Sequence, residues 1–276
     1  MWYQRGVGSR GSRKHSLDMI SKEKREAIED VLKQRFREEL SQYKPNQAST
    51  PFHNRLLGKD RLTFYDFIHS LNKNFTASFF EPVAITLVEG RFKSATKQGI
   101  AGTKISSAAQ AEIQKIMDGL TTATTQPNKQ AEIERLRKVC RKGEMVNVKL
   151  TKVDLLFVAK DGKLYLFDLK TAKPNAGGFK EFKRTLLEWV AAIFAENPEA
   201  DISTLIAIPY NPYEPEPYSR WTMRGMLDLE CELKVADEFW DFIGGKGTYK
   251  DLLDCFERVG VELREEIDAY FKRFNG

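Results

Sequence analysis

Two apolar runs separated by a short polar hinge limit this chain's fold more than any other feature. Val146 to Val158 and Lys163 to Leu169 are rich in Val, Leu, Phe and Tyr, with Lys160-Asp161-Gly162 between them. A period of two makes each run a strand, and the polar triplet a turn, so the pair is expected as a hairpin. Leu156 and Val158 fall on one face of the first strand, Leu155 and Phe157 on the other. A strand that is apolar on both faces must be covered on both. The hairpin is therefore expected at the centre of a sheet, with helices on each side.

Helical periodicity surrounds it. Ile28, Val31, Leu32, Phe36 and Leu40 share one face of a helix starting at Ser21, which Asn46 to Pro51 ends. Thr63 with Asp66 opens a second helix through Phe64, Phe67, Ile68 and Leu71. Pro82 fits only a first helical turn, so Phe79 to Ala84 should hold a kink or a fresh start. Residues 94–106 read as loop, with helices over about 107–118 and 129–142 after it. Beyond the hairpin, a helix of about 179–196 carries Phe182, Leu186, Trp189, Val190 and Ile193, and Asn197-Pro198 stops it. Ile202 to Pro209 reads as a short buried strand, Tyr210 to Trp221 as a loop, and about 235–243 and 248–273 as helices. The order implies an α/β core with helical additions at both ends.

Several function classes drop out. His15, His53 and His69 show no paired spacing, which argues against histidine-rich zinc hydrolysis. Cys140, Cys231 and Cys255 are scattered, so a zinc knuckle or disulfide framework is not expected and a reducing cytoplasm is. No run approaches the roughly 18 apolar residues of a membrane span. The first 18 residues hold no secretory apolar stretch. Gly244 to Thr248 lacks the spacing of a phosphate loop, so no nucleotide cofactor is expected. The 44 Lys and Arg outweigh 39 Asp and Glu by +5, compatible with a polyanionic partner.

Asp154, Asp168 and Lys170 interrupt the two apolar runs. Aspartate is poor in strand interiors, and a buried carboxylate is costly unless paired or bound to metal. Ion pairing of Asp168 with Lys170, or of Asp154 with Lys152, would explain each acid singly. Together they match the Asp…(Asp/Glu)-x-Lys nuclease signature. Carboxylates on adjacent strands can hold Mg²⁺ with phosphate and water oxygens, and a lysine two residues on shares the second acid's face. Glu81, on the helix before the sheet, is the candidate third acid, with Glu89 its competitor and Glu144 a weaker one.

This chemistry depends on register. A two-residue Asp161-Gly162 turn would set Asp154 opposite Leu169 and put the two aspartates on opposite faces. A three-residue turn, with Gly162 left-handed, makes positions whose numbers sum to 322 oppose one another, with Asp154 across from Asp168. The three-residue register is the one expected.

Further segments resemble the TdeIII-type family of type II restriction endonucleases. They are Pro51-Phe52-His53 with Arg55 to Gly58, Phe67 to Asn72, Phe80 to Ala84, Asp168 to Asn175, and Tyr210 to Tyr213 through Arg220-Trp221. They span about residues 20–273. The resemblance implies a restriction-endonuclease-like, PD-(D/E)xK mixed sheet flanked by helices. It implies Mg²⁺-dependent cleavage of double-stranded DNA at a short palindrome by a homodimer, with a cognate DNA methyltransferase as genetic partner. Catalytic and metal roles then fall on Asp154, Asp168 and Lys170, with Glu81 as further metal ligand. Lys152-Val153 stands where the family has a proline before the first aspartate. Lys173 and Asn175 resemble a family extension of the motif.

Lys180, Lys183 and Arg184 recur on one face of the helix after the motif and are candidates for DNA contact, as are Arg220 and Arg224 beyond the tyrosine–proline loop. Residues 19–276 are expected as one nuclease domain with its catalytic core at about 76–210. Residues 1–18 read as a flexible basic arm, or as an extension before a start at Met19. A structure-specific repair or recombination nuclease of the same fold, and a non-catalytic DNA-binding module, are the alternatives. Sequence-specific fragments separate the first from the restriction reading, and Mg²⁺-dependent cleavage separates the second.

Overall fold

Ser21 caps the first helix, α1 (Lys22–Gln42), its hydroxyl accepting the Lys24 N–H, and Ile28, Leu32 and Leu40 bury along one side. The computed structural model describes residues 20–44, 51–170, 178–219, 223 and 225–273, without the side chain of Asp60. The proposed arm at 1–18 lies outside them. Next come α2 (Pro51–Leu57) and α3 (Lys59–Phe75). A π-helical turn (Thr76–Phe80) then leads into α4 (Glu81–Val88). Pro82 sits in the first turn of α4, directly after this π turn, so the expected break is the π turn itself.

Residues 94–106 are not loop. They hold β1 (Ser94–Gly99) and β2 (Lys104–Ser106). β1 is polar because it lies at the edge of the sheet, and backbone pairing rather than apolar alternation makes it a strand. Ser106 and Asn128 cap α5 (Ser107–Thr121) and α6 (Lys129–Arg137). The first apolar run then splits: β3 (Met145–Asn147) pairs with β2, and β4 (Val153–Val158) enters the main sheet. β5 (Leu164–Leu169), α7 (Phe179–Glu196) and β6 (Ile202–Ile208) follow as expected. A strand the sequence reading lacked, β7 (Leu233–Val235), precedes α8 (Asp237–Gly244). The last helix divides at Leu263 into α9 (Thr248–Glu262) and α10 (Arg264–Lys272).

Among the described residues the main sheet runs β1-β4-β5-β6-β7. β1, β4 and β5 pair antiparallel, while β6 and β7 continue in parallel. The step from β5 to β6 crosses through α7, the long connection a parallel pair requires. Both faces are covered. Val153, Leu166, Ile206 and Ile208 pack with Ile113, Leu136, Leu186 and Val190 of α5, α6 and α7. Leu155, Phe157, Phe167 and Ala207 pack on the other face with Leu32, Val83, Leu87, Phe239 and Cys255 of α1, α4, α8 and α9. Burial of one such Leu or Phe stabilises by about 1.5–3 kcal/mol, so this double layer fixes the hairpin in place.

Candidate active site

The β4–β5 turn has three residues. Ala159 donates to the Lys163 carbonyl at 2.8 Å and Gly162 to the Ala159 carbonyl at 3.0 Å. Gly162 has φ +94°, a left-handed conformation that favours glycine. Asp161 steadies the turn by accepting the Lys163 N–H at 3.0 Å. The ladder then runs Val158↔Leu164, Phe157↔Tyr165, Leu156↔Leu166 and Leu155↔Phe167, the register summing to 322. The ladder ends there, and just beyond it the Asp154 and Asp168 carboxyls interact. Asp168 shares parity with Leu164 and Leu166, which pack into the α5–α7 core, and Lys170 has the same parity.

Asp168 is 3% exposed. Its Oδ1 lies 2.6 Å from Lys170 Nζ, which also sits 4.7 Å from the centre of the Phe182 ring. Asp154 Oδ2 accepts the Leu169 N–H at 2.7 Å. Burial pushes the Asp168 carboxyl up to about 6; Lys170 opposes the rise and Asp154 adds to it. Glu81 comes from α4, whose Val83, Ala84 and Leu87 belong to the opposite core, and is 2% exposed. Burial raises its pKa, partly offset by a hydrogen bond from Gln98, while the Asp154 charge raises it further. Glu89, the competing acid, ends α4 with its carboxylate exposed and 3.7 Å from Lys24 Nζ. Glu144 is exposed beyond α6.

Gln98 is the site residue that sequence reasoning missed. Its Nε2 donates to Glu81 Oε1 at 2.9 Å and to Asp154 Oδ1 at 3.2 Å. A neutral amide in a segment that reads as loop carries no signal, except that Gln98 stands beside Gly99 before the hairpin.

The oxygen-only donor set suits a hard divalent cation such as Mg²⁺. Among the described residues, no group of three Asp, Glu, His or Cys side chains is placed so that it could hold a metal ion. The Asp168 carboxyl, buried with the Asp154 carboxyl beside it, fits such an ion if other oxygens complete its shell.

The candidate DNA contacts fare unevenly. Lys180 is exposed in the first turn of α7, and Arg184 donates to Gln114 Oε1 at 2.8 Å. Lys183 is no surface residue. It is fully buried, with Nζ 2.5 Å from Glu132 Oε2 and 2.6 Å from Glu232 Oε2. It follows the buried stripe of Phe179, Leu186, Val190 and Phe194, not the polar face. Lys173, Asn175, Arg220, Trp221 and Arg224 lie outside the described residues. The amides of Gly247, in the glycine-rich turn before α9, and of Tyr249, in its first turn, donate to Asp241.

Residues 20–260 match the family described as type II restriction endonuclease, HinfI. The chain is 29% identical over 220 residues to type II restriction enzyme MjaII of Methanocaldococcus jannaschii, covering 75% of this chain and 58% of that one. Type II restriction enzyme HgiCII of Herpetosiphon aurantiacus is 24% identical over 221 residues, 79% of this chain and 80% of its own length. HgiEI of the same organism is 23% identical over 222 residues, 79% of each chain. The class expected from the sequence is thereby shown, with HinfI rather than TdeIII as the family matched. The sheet with helices on both faces is consistent with the PD-(D/E)xK fold.

Proposed function

The chain belongs to the HinfI family of type II restriction endonucleases, and we propose that it cleaves both strands of double-stranded DNA at a short palindrome in a Mg²⁺-dependent reaction. The observation that carries this reading is the meeting of the Asp154 and Asp168 carboxyls at the end of the β4–β5 hairpin, with Lys170 Nζ 2.6 Å from Asp168. Asp154 and Asp168 would hold the ion, with Glu81 as the third acid. Bound there, Mg²⁺ supplies a lowered pKa for water and a counter-charge for the phosphate.

The remaining chemistry belongs to side chains. Asp168 and the Phe182 ring fix the Lys170 ammonium from two directions, so it meets the phosphate and the attacking water without searching for a rotamer. The Leu169 N–H orients the Asp154 carboxylate. Lys180 and Arg184, with Lys173, Asn175, Arg220 and Arg224, are the proposed DNA contacts. Symmetric cutting of a palindrome calls for two copies of the chain, hence a homodimer. A cytoplasmic location and a cognate methyltransferase complete the reading. Among the described residues no helix is long and apolar enough to cross a membrane.

The test is digestion of phage DNA of known sequence with and without Mg²⁺, followed by mapping of fragment ends. Discrete ends at one repeated palindrome are expected. Nicks at branched or damaged sites, or no Mg²⁺-dependent cutting, would overturn the proposal.

A further inference from the structure

We propose that Gln98 is a positioning residue whose amide fixes Glu81 and Asp154 relative to one another. This inference rests on the nuclease reading above. In the β1–β4 ladder Lys97 pairs with Leu155 and Gly99 with Val153, leaving Gln98 opposite Asp154. Gln98 has φ +53°, the left-handed region that glycine and asparagine enter far more readily than glutamine. Gly99 is next to it, yet the left-handed conformation falls on the residue with the long amide. Strained backbone of this kind persists where the surroundings hold it, and strands bend this way beside active sites to re-aim a side chain.

The re-aimed side chain has a defined task. Glu81 rides on α4, packed in one core, and Asp154 sits in β4, the strand next to β1 in the sheet. The Gln98 NH₂ group has two N–H bonds and places its nitrogen within 2.9 Å of one carboxylate and 3.2 Å of the other. Because the amide is neutral, it joins two acids without competing with a cation, as a lysine would. Asp154 is then held at both oxygens, Oδ1 by Gln98 and Oδ2 by the Leu169 N–H. Its plane cannot turn freely, which preorganises the carboxylate.

Glycine accepts φ +53° without strain, so Q98G removes the amide while leaving the backbone at least as stable. The measurements are Mn²⁺ binding to the DNA-free protein by titration calorimetry, the melting temperature, and the Mg²⁺ dependence of cleavage. Q98G is expected to melt no lower than wild type, yet to bind Mn²⁺ and use Mg²⁺ about 10–100-fold more weakly, the usual loss when a partner of a metal ligand is removed. Q98N, also tolerant of the left-handed region but too short to span both acids, should lose Mn²⁺ affinity as well. Unchanged Mn²⁺ affinity in Q98G overturns the inference. So does an affinity lost only in step with the melting temperature in both variants, because Gln98 would then be a structural strut. A wild type that neither cuts DNA nor binds Mn²⁺ better than D168A would instead sink the nuclease reading.

Discussion

Replacing Lys183 by methionine separates a buried structural charge from a DNA contact. In the folded protein Lys183 Nζ lies between Glu132 and Glu232, and Lys129 Nζ reaches Glu232 Oε1 at 2.8 Å and the Thr204 hydroxyl at 2.6 Å. Two lysines face two glutamates, so the quartet is neutral and every charge is hydrogen-bonded. Methionine preserves much of the volume but strands one negative charge inside. Removing one partner of a buried pair costs about 3–5 kcal/mol. For a domain of this size that is a fall in melting temperature of roughly 6–20 °C. Burial already raises Glu132, with Lys183 opposing it. Without Lys183 the folded pKa rises further above the unfolded value, so the deficit is full above that pKa and shrinks as pH falls and Glu132 takes up a proton. The double variant K183M/E132Q leaves one matched pair and should recover most of the loss. Thermal melts from pH 5 to 8, paired with DNA binding over a salt series, decide the matter. A K183M protein within about 1 kcal/mol of wild type, whose salt dependence of DNA binding drops by about one phosphate contact, would restore the surface reading.

Lys170→Ala should abolish cleavage while leaving specific binding largely intact, because the ammonium acts on the attacking water and the transition state more than on ground-state affinity; Asp168→Ala should lose cleavage and metal together. Parallel gel-shift and cleavage assays check both, and wild-type-like turnover by the lysine variant removes it from the mechanism. Asp168→Asn should stabilise the metal-free protein at pH 7.5. The Asp168 carboxyl is pushed from 3.8 up to about 6, so the folded state binds the proton more tightly than the unfolded one, and stability is lost as pH rises through that window. The gain is at most about 3 kcal/mol and should vanish near pH 4, as melts of the two proteins at both pH values would show. Gly162→Ala should cost about 1–2 kcal/mol through backbone strain alone, since a Cβ there meets nothing within 4 Å. Gly162→Asn should be nearly neutral by the same melting assay.

The central hairpin was legible because each of its signals is local. Turn chemistry sets the parity of the register, and parity decides whether two aspartates can meet, so Asp161-Gly162 with its flanking residues carried the site's geometry. β1 was not legible. Ser94 to Gly99 has no apolar alternation, and it becomes a strand through a neighbour more than fifty residues later. Lys183 misled for a related reason. Its spacing from Lys180 and Arg184 suits a polar face, but its spacing to Leu186 and Val190 suits the buried one equally. Glu132 and Glu232, which decide between the two, lie 51 and 49 residues away. Pairing between distant segments leaves no trace in a local window.

Among the described residues, two places break the rule that charges stay in water, and they break it differently. At the Lys183 quartet, ammonium groups match carboxylates in number, and Glu232 is held below the ordinary range because Lys129 and Lys183 outweigh its burial. Such a cluster needs nothing more and reads as architecture. At the sheet end Asp168 meets Lys170 and Asp154, Gln98 links Asp154 to Glu81, Lys97 acts on Glu81 by charge alone, and burial pushes both Glu81 and Asp168 upward. The same spot carries a π-helical turn ahead of Glu81 and a left-handed glutamine. Local strain and unmatched negative charge coincide there because neither serves stability. A folded chain keeps an acid cluster in this condition when a cation completes it, which is why the sheet end, and not the better-satisfied quartet, is the catalytic centre proposed for this protein.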